Sequence, residues 1–321
     1  MTRAHAFFAA ALLLACGLAP AGSAGTITTT LGGSTYVIDN APLSSADTLS
    51  RELGFGIGTT ALRAHRAERG PWVGMFRDTG RSDPGGAQGA DHTDKGLVAG
   101  FGFGRSGVSA FVGFGQGEAK FDDGLHETRF RSYFYGLSLA RETGGLHYDV
   151  AVYMGNSHNK VMSGPAASGS GDFDGRLYGV ALRGTGMLTQ GGAGLPALDY
   201  AVQANVVTHE TEDYPLSGLG GTVDRRSMLS HALRIELGMP MQSGAASLRP
   251  YLALTTLGGD QDAITFAASG ASTRFGAADV LSGTQAAIGV GFGRGRMQGR
   301  AEIAGDTDGN DRMSLSLGWR F

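Results

Sequence analysis

The stretch Arg312-Met313-Ser314-Leu315-Ser316-Leu317-Gly318-Trp319-Arg320-Phe321 alternates with a period of two. Met313, Leu315, Leu317, Trp319 and Phe321 fall on one face, and Arg312, Ser314, Ser316, Gly318 and Arg320 on the other. Successive side chains of a strand point to opposite sides, so this pattern predicts a β-strand with one oily face and one small or charged face. The same alternation recurs upstream. Leu146, Tyr148, Val150, Val152 and Met154 are interleaved with His147, Asp149, Ala151 and Tyr153. Leu229, Leu233, Ile235 and Leu237 are interleaved with Ser230, Ala232, Arg234 and Glu236, and Leu97, Ala99, Phe101 and Phe103 with Val98, Gly100, Gly102 and Gly104.

Extended along the chain, the pattern predicts about twelve strands, near residues 70–79, 95–105, 107–119, 128–142, 145–158, 173–186, 196–208, 225–240, 246–258, 283–294, 296–305 and 311–321. Most are long enough to cross a bilayer, where a tilted strand needs roughly 9 to 11 residues. Their connections alternate between long and short, except the last around 306–310, as in transmembrane barrels with short periplasmic turns and long external loops. Spanning strands cannot leave an open edge in lipid, so the expected fold is all-β: a closed antiparallel transmembrane barrel of about twelve strands. A secreted glycine-rich sandwich or solenoid is the soluble alternative, but it has no need of such long strands or of alternating loop lengths.

Composition agrees. Glycine supplies 55 of 321 residues, with no Gly-X-Y period and only nine prolines, which excludes collagen. Interior glycines cost a helix about 1 kcal/mol each relative to alanine, which excludes a mainly helical chain. The formal charge of −3 gives no basic footprint for nucleic acid. Mean hydropathy is −0.06, which suits an oily exterior averaged with a polar interior. The glycines at 100, 102 and 104, at 113 and 115, and at 289, 291 and 293 fall on the inward face, where they leave room for a helix or water.

Residues 1–24 have the layout of a secretory signal peptide: Arg3, an apolar run from Ala6 to Leu18, and small residues at Ala21-Gly22-Ser23-Ala24. Leu13-Leu14-Ala15-Cys16 also resembles a lipoprotein box, in which Cys16 would be lipidated. Cleavage after Ala24 would instead remove the only cysteine, and thiol catalysis, disulfides and Cys-based zinc sites with it.

The order Tyr135-Gly136-Leu137-Ser138-Leu139, Leu146-His147-Tyr148-Asp149-Val150, Leu233-Arg234-Ile235-Glu236-Leu237-Gly238, Leu248-Arg249-Pro250-Tyr251-Leu252-Ala253, Gly289-Val290-Gly291-Phe292-Gly293 and Leu317-Gly318-Trp319-Arg320-Phe321 resembles the C-terminal translocator domain of autotransporters, the type V secretion proteins of Gram-negative bacteria. The resemblance covers roughly 250 residues, from about Leu97 onward. It implies an outer-membrane barrel with a helix in the pore, and a C-terminal strand, marked by Trp319 and Phe321, that the barrel-assembly machinery recognises. It implies four parts: signal peptide 1–24, a short segment 25–45 in the place of a passenger, a pore helix over 46–69, and the barrel over 70–321. Ser44-Ser45-Ala46-Asp47 reads as the helix start, and Leu49, Leu53, Leu62, Arg63, His65 and Arg66 suit its faces. Gly54, Gly56 and Gly58 argue against a single uninterrupted helix. Residues 25–45 are too few to bury a core of their own.

Charges facing lipid at mid-depth cost about 2 to 4 kcal/mol for Arg or Lys, so Asp149, Asp199, Arg234, Glu236, Arg249, Arg300, Glu302, Arg312 and Arg320 are expected to line the lumen. Their mixed signs suit pairing across neighbouring strands; a selective ion path is the functional alternative. Other motifs carry less. Gly102-Phe103-Gly104-Arg105-Ser106-Gly107 matches a dinucleotide fingerprint but runs from strand to strand without a receiving helix. Gly136-Leu137-Ser138-Leu139-Ala140 nearly matches a serine-hydrolase elbow but lies within a strand. Asp306, Asp308 and Asn310 have calcium-loop spacing with a misplaced glycine; Asp308-Gly309, Asp123-Gly124 and Asp174-Gly175 read as hairpin turns. Asp83, Asp91, Asp94, Glu210, Glu212 and Asp213 are loop carboxylates able to hold cations that bridge lipopolysaccharide. The expected function is translocation or display of the N-terminal segment, with a small-solute pore or a surface adhesin as alternatives. No enzyme activity, metal or cofactor is expected. The expected partners are outer-membrane lipid, lipopolysaccharide and the assembly machinery, around a monomeric barrel in the bacterial outer membrane.

Overall fold

A computed structural model describes residues 25–64, 69–82, 89–164, 168–192, 195–277, 283–307 and 309–321. The signal-peptide and lipoprotein-box readings, with His65, Arg66, Asp83 and Asp308, lie outside the described residues. The chain begins with a hairpin, β1 (Thr26–Leu31) and β2 (Ser34–Asp39), followed by helix α1 (Asn40–Ala64). The wall is built from β3 (Arg69–Ser82), β4 (Ala90–Phe103), β5 (Val108–Phe121), β6 (Glu127–Thr143), β7 (Leu146–Ser163), β8 (Gly169–Gly192) and β9 (Leu195–Thr211). After two short loop strands, β10 (Tyr214–Leu216) and β11 (Gly221–Val223), come β12 (Arg226–Gly238), its continuation β13 (Met241–Ser243), and β14 (Ala246–Gln261). A second loop pair, β15 (Ile264–Ala268) and β16 (Ala271–Phe275), precedes β17 (Gly283–Arg294), β18 (Met297–Gly305) and β19 (Asp311–Arg320).

Each wall strand pairs antiparallel with the next, β12 pairs with β14, and β19 returns to β3. The seam runs from Arg312 opposite Gly80 to Arg320 opposite Trp72, and the Phe321 amide donates to the Pro71 carbonyl at 3.1 Å. The result is a closed twelve-stranded barrel, as the alternation predicts. Its oily face points outward: Tyr133 is 70% exposed, Leu252 and Ile288 63%, and Phe321 63%. So much apolar surface on one continuous belt is stable only against lipid. No helix among the described residues is long and apolar enough to cross a membrane, which leaves the crossing to the strands.

The β18–β19 connection at the far end is only five residues, 306–310, but the shortest connections lie at the end that holds Arg69 and Phe321, including the two-residue turn Gly144-Gly145. Those glycines have φ of 57° and 80°, the paired left-handed conformation of a type I′ hairpin. Long connections lie at the other end. Asp123-Gly124 forms a turn there, whereas Asp174-Gly175 lies inside β8, which is longer than its apolar alternation suggests.

The helix differs from expectation. It starts at Asn40, six residues before Ala46, because Pro42 falls in the first turn, where its missing amide is harmless. Ser44 and Ser45 bond back to the carbonyls of Asn40 and Pro42 instead of capping a later start. It also runs unbroken through Gly54, Gly56 and Gly58. A Cβ at these positions would lie 2.8 Å from Val207, 2.3 Å from Phe76 and 2.9 Å from Ala181, so the glycines are where the helix presses closest to the wall. The helix and inward rings take up the room left by several wall glycines, while Gly291 and Gly293 border the cavity described below. Leu53 covers Gly115, Ile57 covers Gly113, and the rings of Trp72 and Tyr251 lie over Gly100 and Gly289. Gly104, expected on the inward face, belongs to a tight turn with φ of 78°.

Candidate functional site: a plugged and capped lumen

Helix α1 runs the length of the lumen. At its start, the Asn40 side chain donates to the Gly276 carbonyl, and the Asp39 amide to Ser163 at the long-loop end of β7. At its finish, the Arg63 carbonyl accepts from Gln298, beside the short turn into β18. The segment before the helix has therefore passed to the long-loop end. There β1–β2 packs on loop strands β10, β11, β15 and β16 around Leu31, Ile38, Leu216, Val223, Ile264 and Phe266. Residues 25–45 bury no core alone; they complete one with the loops. His126 fastens this cap, with Nδ1 on Asp123 and Nε2 3.1 Å from Asp39.

Below the cap, Asp47 of the helix is held by three wall strands. Its carboxylate lies 2.9 Å from Arg226 Nε and 3.0 Å from His209 Nδ1, and it accepts from Gln261 at 2.6 Å. His209 Nε2 is in turn 3.0 Å from Ser157 Oγ. A Ser-His-Asp relay is the arrangement of a nucleophilic triad. Here it is a latch. Asn159 donates to the Ser157 oxygen, the Phe130 ring packs edge-on to His209, and Arg226 shares the aspartate. All three relay residues are buried, and none lines the cavity described next. Ser138, of the elbow-like motif, is buried within β6 with no turn around it.

A cavity of about 940 Å3 opens at the short-turn end, between α1 and strands β3, β6–β9, β12, β14 and β17–β19. Asp149, Asp199, Arg234, Arg249, Arg300, Glu302, Arg312 and Arg320 line it, and Glu236 is buried against the same arginines. Parity thus places every one of the nine charges on the inner face. Glu236 accepts from Arg234 at 2.8 Å, Arg300 at 2.7 Å, Arg249 at 3.1 Å and the helix residue Arg63 at 3.3 Å. Glu302 binds Arg300 at 2.6 Å, also pairs with Arg234, and accepts from the Tyr251 hydroxyl at 2.7 Å. Arg300 stacks 3.9 Å over the Tyr251 ring, Arg249 pairs with Asp199 at 2.7 Å, and Arg312 with Asp78 at 2.8 Å. Such a network adds little net stability but fixes geometry, since removing one member strands the others. Through Arg63 it ties the helix foot to the wall.

Sequence reasoning missed Arg183, Tyr251 and Asp78 in this cavity, and His209 and Arg226 in the latch. Parity on β8, with Leu182 outward, was the available signal for Arg183; nothing local links Asp47 to His209. Among the described residues no group of His, Cys, Asp or Glu could hold a metal ion. Asp306 bonds Asn310 within its own turn. Trp319 and Phe321 are exposed on the outer face at the short-turn end.

Solved structures share this fold. The translocator domain of autotransporter NalP from Neisseria meningitidis is 16% identical, with a TM-score of 0.63, covering 87% of this chain and 97% of that one. The β domain of the Bordetella autotransporter BrkA has 14% identity and a TM-score of 0.55, over 79% and 99%. The transport unit of AIDA-I from Escherichia coli has 9% identity and a TM-score of 0.54, over 88% and 99%. No protein-family model matches the chain, and no curated protein is similar to it in sequence. At these identities the likeness is one of fold: a closed twelve-stranded barrel of the autotransporter translocator type, with the N-terminal helix inside.

Proposed function

With that fold as premise, we propose that the protein is a bacterial outer-membrane barrel that passes its own N-terminal segment through the lumen. The segment stays at the cell surface as a folded cap. One observation carries this reading: α1 enters at the short-turn end and leaves residues 25–39 packed on the long loops at the other. Long loops face the exterior in barrels of this kind. Export begins with cleavage of the 1–24 signal, and insertion relies on the assembly machinery reading the strand that carries Trp319 and Phe321. Outer-leaflet lipid and lipopolysaccharide surround the belt. The work is conformational, with no bond-making step. An epitope inserted at the Gly32-Gly33 turn, which has open space around Gly33, is expected to bind antibody on intact cells. Binding only after the cells are opened would contradict the proposal.

A resting pore is the weaker second reading. The cavity favours it at the short-turn end, but α1, the Asp47 latch and the cap stand between that cavity and the exterior.

A further inference from the structure

On four of the six consecutive wall strands β3 to β8 the apolar belt ends, toward the long loops, in a cation. Outward Met75 is followed by Arg77 on β3, Leu97 is preceded by Lys95 on β4, Tyr133 by Arg131 on β6, and Tyr178 by Arg176 on β8. All four cations are exposed, and among the described residues none has an ion pair or a side-chain hydrogen bond. Several cations farther out are engaged, although Lys160 of β7 is not. Arg81 pairs with Asp122, Lys120 with Glu118, Arg129 with Glu127 and Arg225 with Asp213.

Arg77 and Lys95 are direct cross-strand partners, and Gln116 joins Lys95 to Arg131 in the next two pairings. Like charges directly opposite each other destabilise a sheet unless something anionic lies between them. The row is also one-sided. At the long-loop end of β14 and β19 the outward positions carry acids instead, Asp260 beside Leu229 and Asp311 beside Arg81. The row sits at the edge of the apolar belt, so an anion at headgroup level is the partner its charge fits.

We propose that Arg77, Lys95, Arg131 and Arg176 form a binding site for the phosphate groups of lipid A in the outer leaflet. Gln116, and Asn156 opposite Arg176 on β7, are neutral hydrogen-bonding neighbours in the same band, while Glu210 stands opposite Arg176 on β9 without an ion pair to it. Guanidinium and ammonium groups bind phosphate through charge-assisted hydrogen bonds, with arginine able to do so bidentately. The site rests on the proposal that the long-loop end faces the exterior.

The test compares the full barrel with two quadruple variants. One replaces the unpaired set (Arg77→Ala, Lys95→Ala, Arg131→Ala, Arg176→Ala), the other the already paired Arg81, Lys120, Arg129 and Arg225, all to Ala. Retention of bis-phosphorylated lipid A by the detergent-solubilised protein is read by native mass spectrometry. Dephosphorylated lipid A and phosphatidylglycerol serve as competing probes, and the shift between unboiled and boiled gel samples confirms a folded barrel. The unpaired set is expected to lose about tenfold in lipid A retention and the paired set less than about twofold, because the paired cations are already engaged. Equal losses in the two variants would overturn the site, as would equal retention of dephosphorylated lipid A or of phosphatidylglycerol. In each case a retained gel shift leaves the barrel reading standing. Absence of the shift in the unaltered protein would instead remove the barrel reading and the site with it.

Discussion

Leu53 of the helix occupies the space that a side chain on Gly115 of β5 would fill: a Cβ there would lie 2.5 Å from Leu53 Cδ1. The helix and the wall are fitted as knob and socket, and Leu49 and Ile57 repeat the fit one turn away on either side, over Gly117 and Gly113. Gly115→Val should therefore unseat the helix, at a cost of about 1 to 3 kcal/mol of overpacking. Conductance in planar bilayers is expected to be near zero for the unaltered protein and to rise in the variant. Adding Leu53→Ala should bring it back down, since the two changes are coupled through one contact. A silent Gly115→Val channel would show that the helix does not close the lumen.

The Asp47 latch yields a prediction of stability, not of catalysis. Asp47→Ala strands the buried Arg226 and His209, a loss of about 3 to 5 kcal/mol. The temperature at which the compact gel band converts to the unfolded one should fall accordingly. Ser157→Ala removes only the outermost bond and should cost about 1 kcal/mol. Neither the unaltered protein nor Ser157→Ala should react with a serine-directed fluorophosphonate; labelling lost in Ser157→Ala would make the relay an active site.

How far the sequence carries can be seen in these residues. Met313, Leu315 and Trp319 declare a lipid face because alternation in a strand is a local property, and the same parity puts Arg234, Arg300 and Glu302 inside. Ser44-Ser45-Ala46-Asp47 reads locally as a cap, yet the helix begins at Asn40, because Pro42 is benign in a first turn. Strands as short as Tyr214–Leu216 leave no periodicity to detect, so the cap was invisible until the hairpin and loops were brought together. The latch joins residues 162 positions apart, from Asp47 to His209, and nothing near either one announces the other.

Cap closure should depend on pH through His126. Burial alone would lower its pKa, but the Asp123 carboxylate, the Gly164 carbonyl and the Asp39 carboxylate outweigh that and raise it above the ordinary value. A group whose pKa is raised on folding contributes stability that is complete below its unfolded pKa, about 6.5, and lost as pH climbs through the folded value. Amide exchange in residues 34–39 should accelerate on going from about pH 5.5 to about pH 8.5 beyond the intrinsic rate change, as neutral imidazole loses its hold on the carboxylates. His126→Ala should exchange fast at both. Exchange that speeds up on acidification in the unaltered protein would reverse the assigned sign.

Glu236 accepts from three wall guanidinium groups besides Arg63 of the helix, so Glu236→Gln leaves Arg234, Arg249 and Arg300 with less countercharge than they now share. In a barrel shortened by deleting residues 40–64, the open pore should become more anion-selective with Glu236→Gln, by reversal potential under a salt gradient. Tyr251→Phe should remove one hydrogen bond to Glu302, worth about 1 kcal/mol, with little change in selectivity. An unaltered reversal potential in Glu236→Gln would mean that the network does not face the conducting path.

The topology can be read directly with two single cysteines and a membrane-impermeant maleimide on intact cells. Thr28→Cys lies on the exposed hairpin strand beyond the long-loop end of the lumen, and Ala245→Cys in the exposed short turn at the opposite end. Labelling of Thr28→Cys on whole cells, with Ala245→Cys labelled only after the outer membrane is opened, is the result expected if the N-terminal segment has crossed and remains outside. The reverse pattern, or protection of Thr28→Cys until the cells are opened, would contradict it.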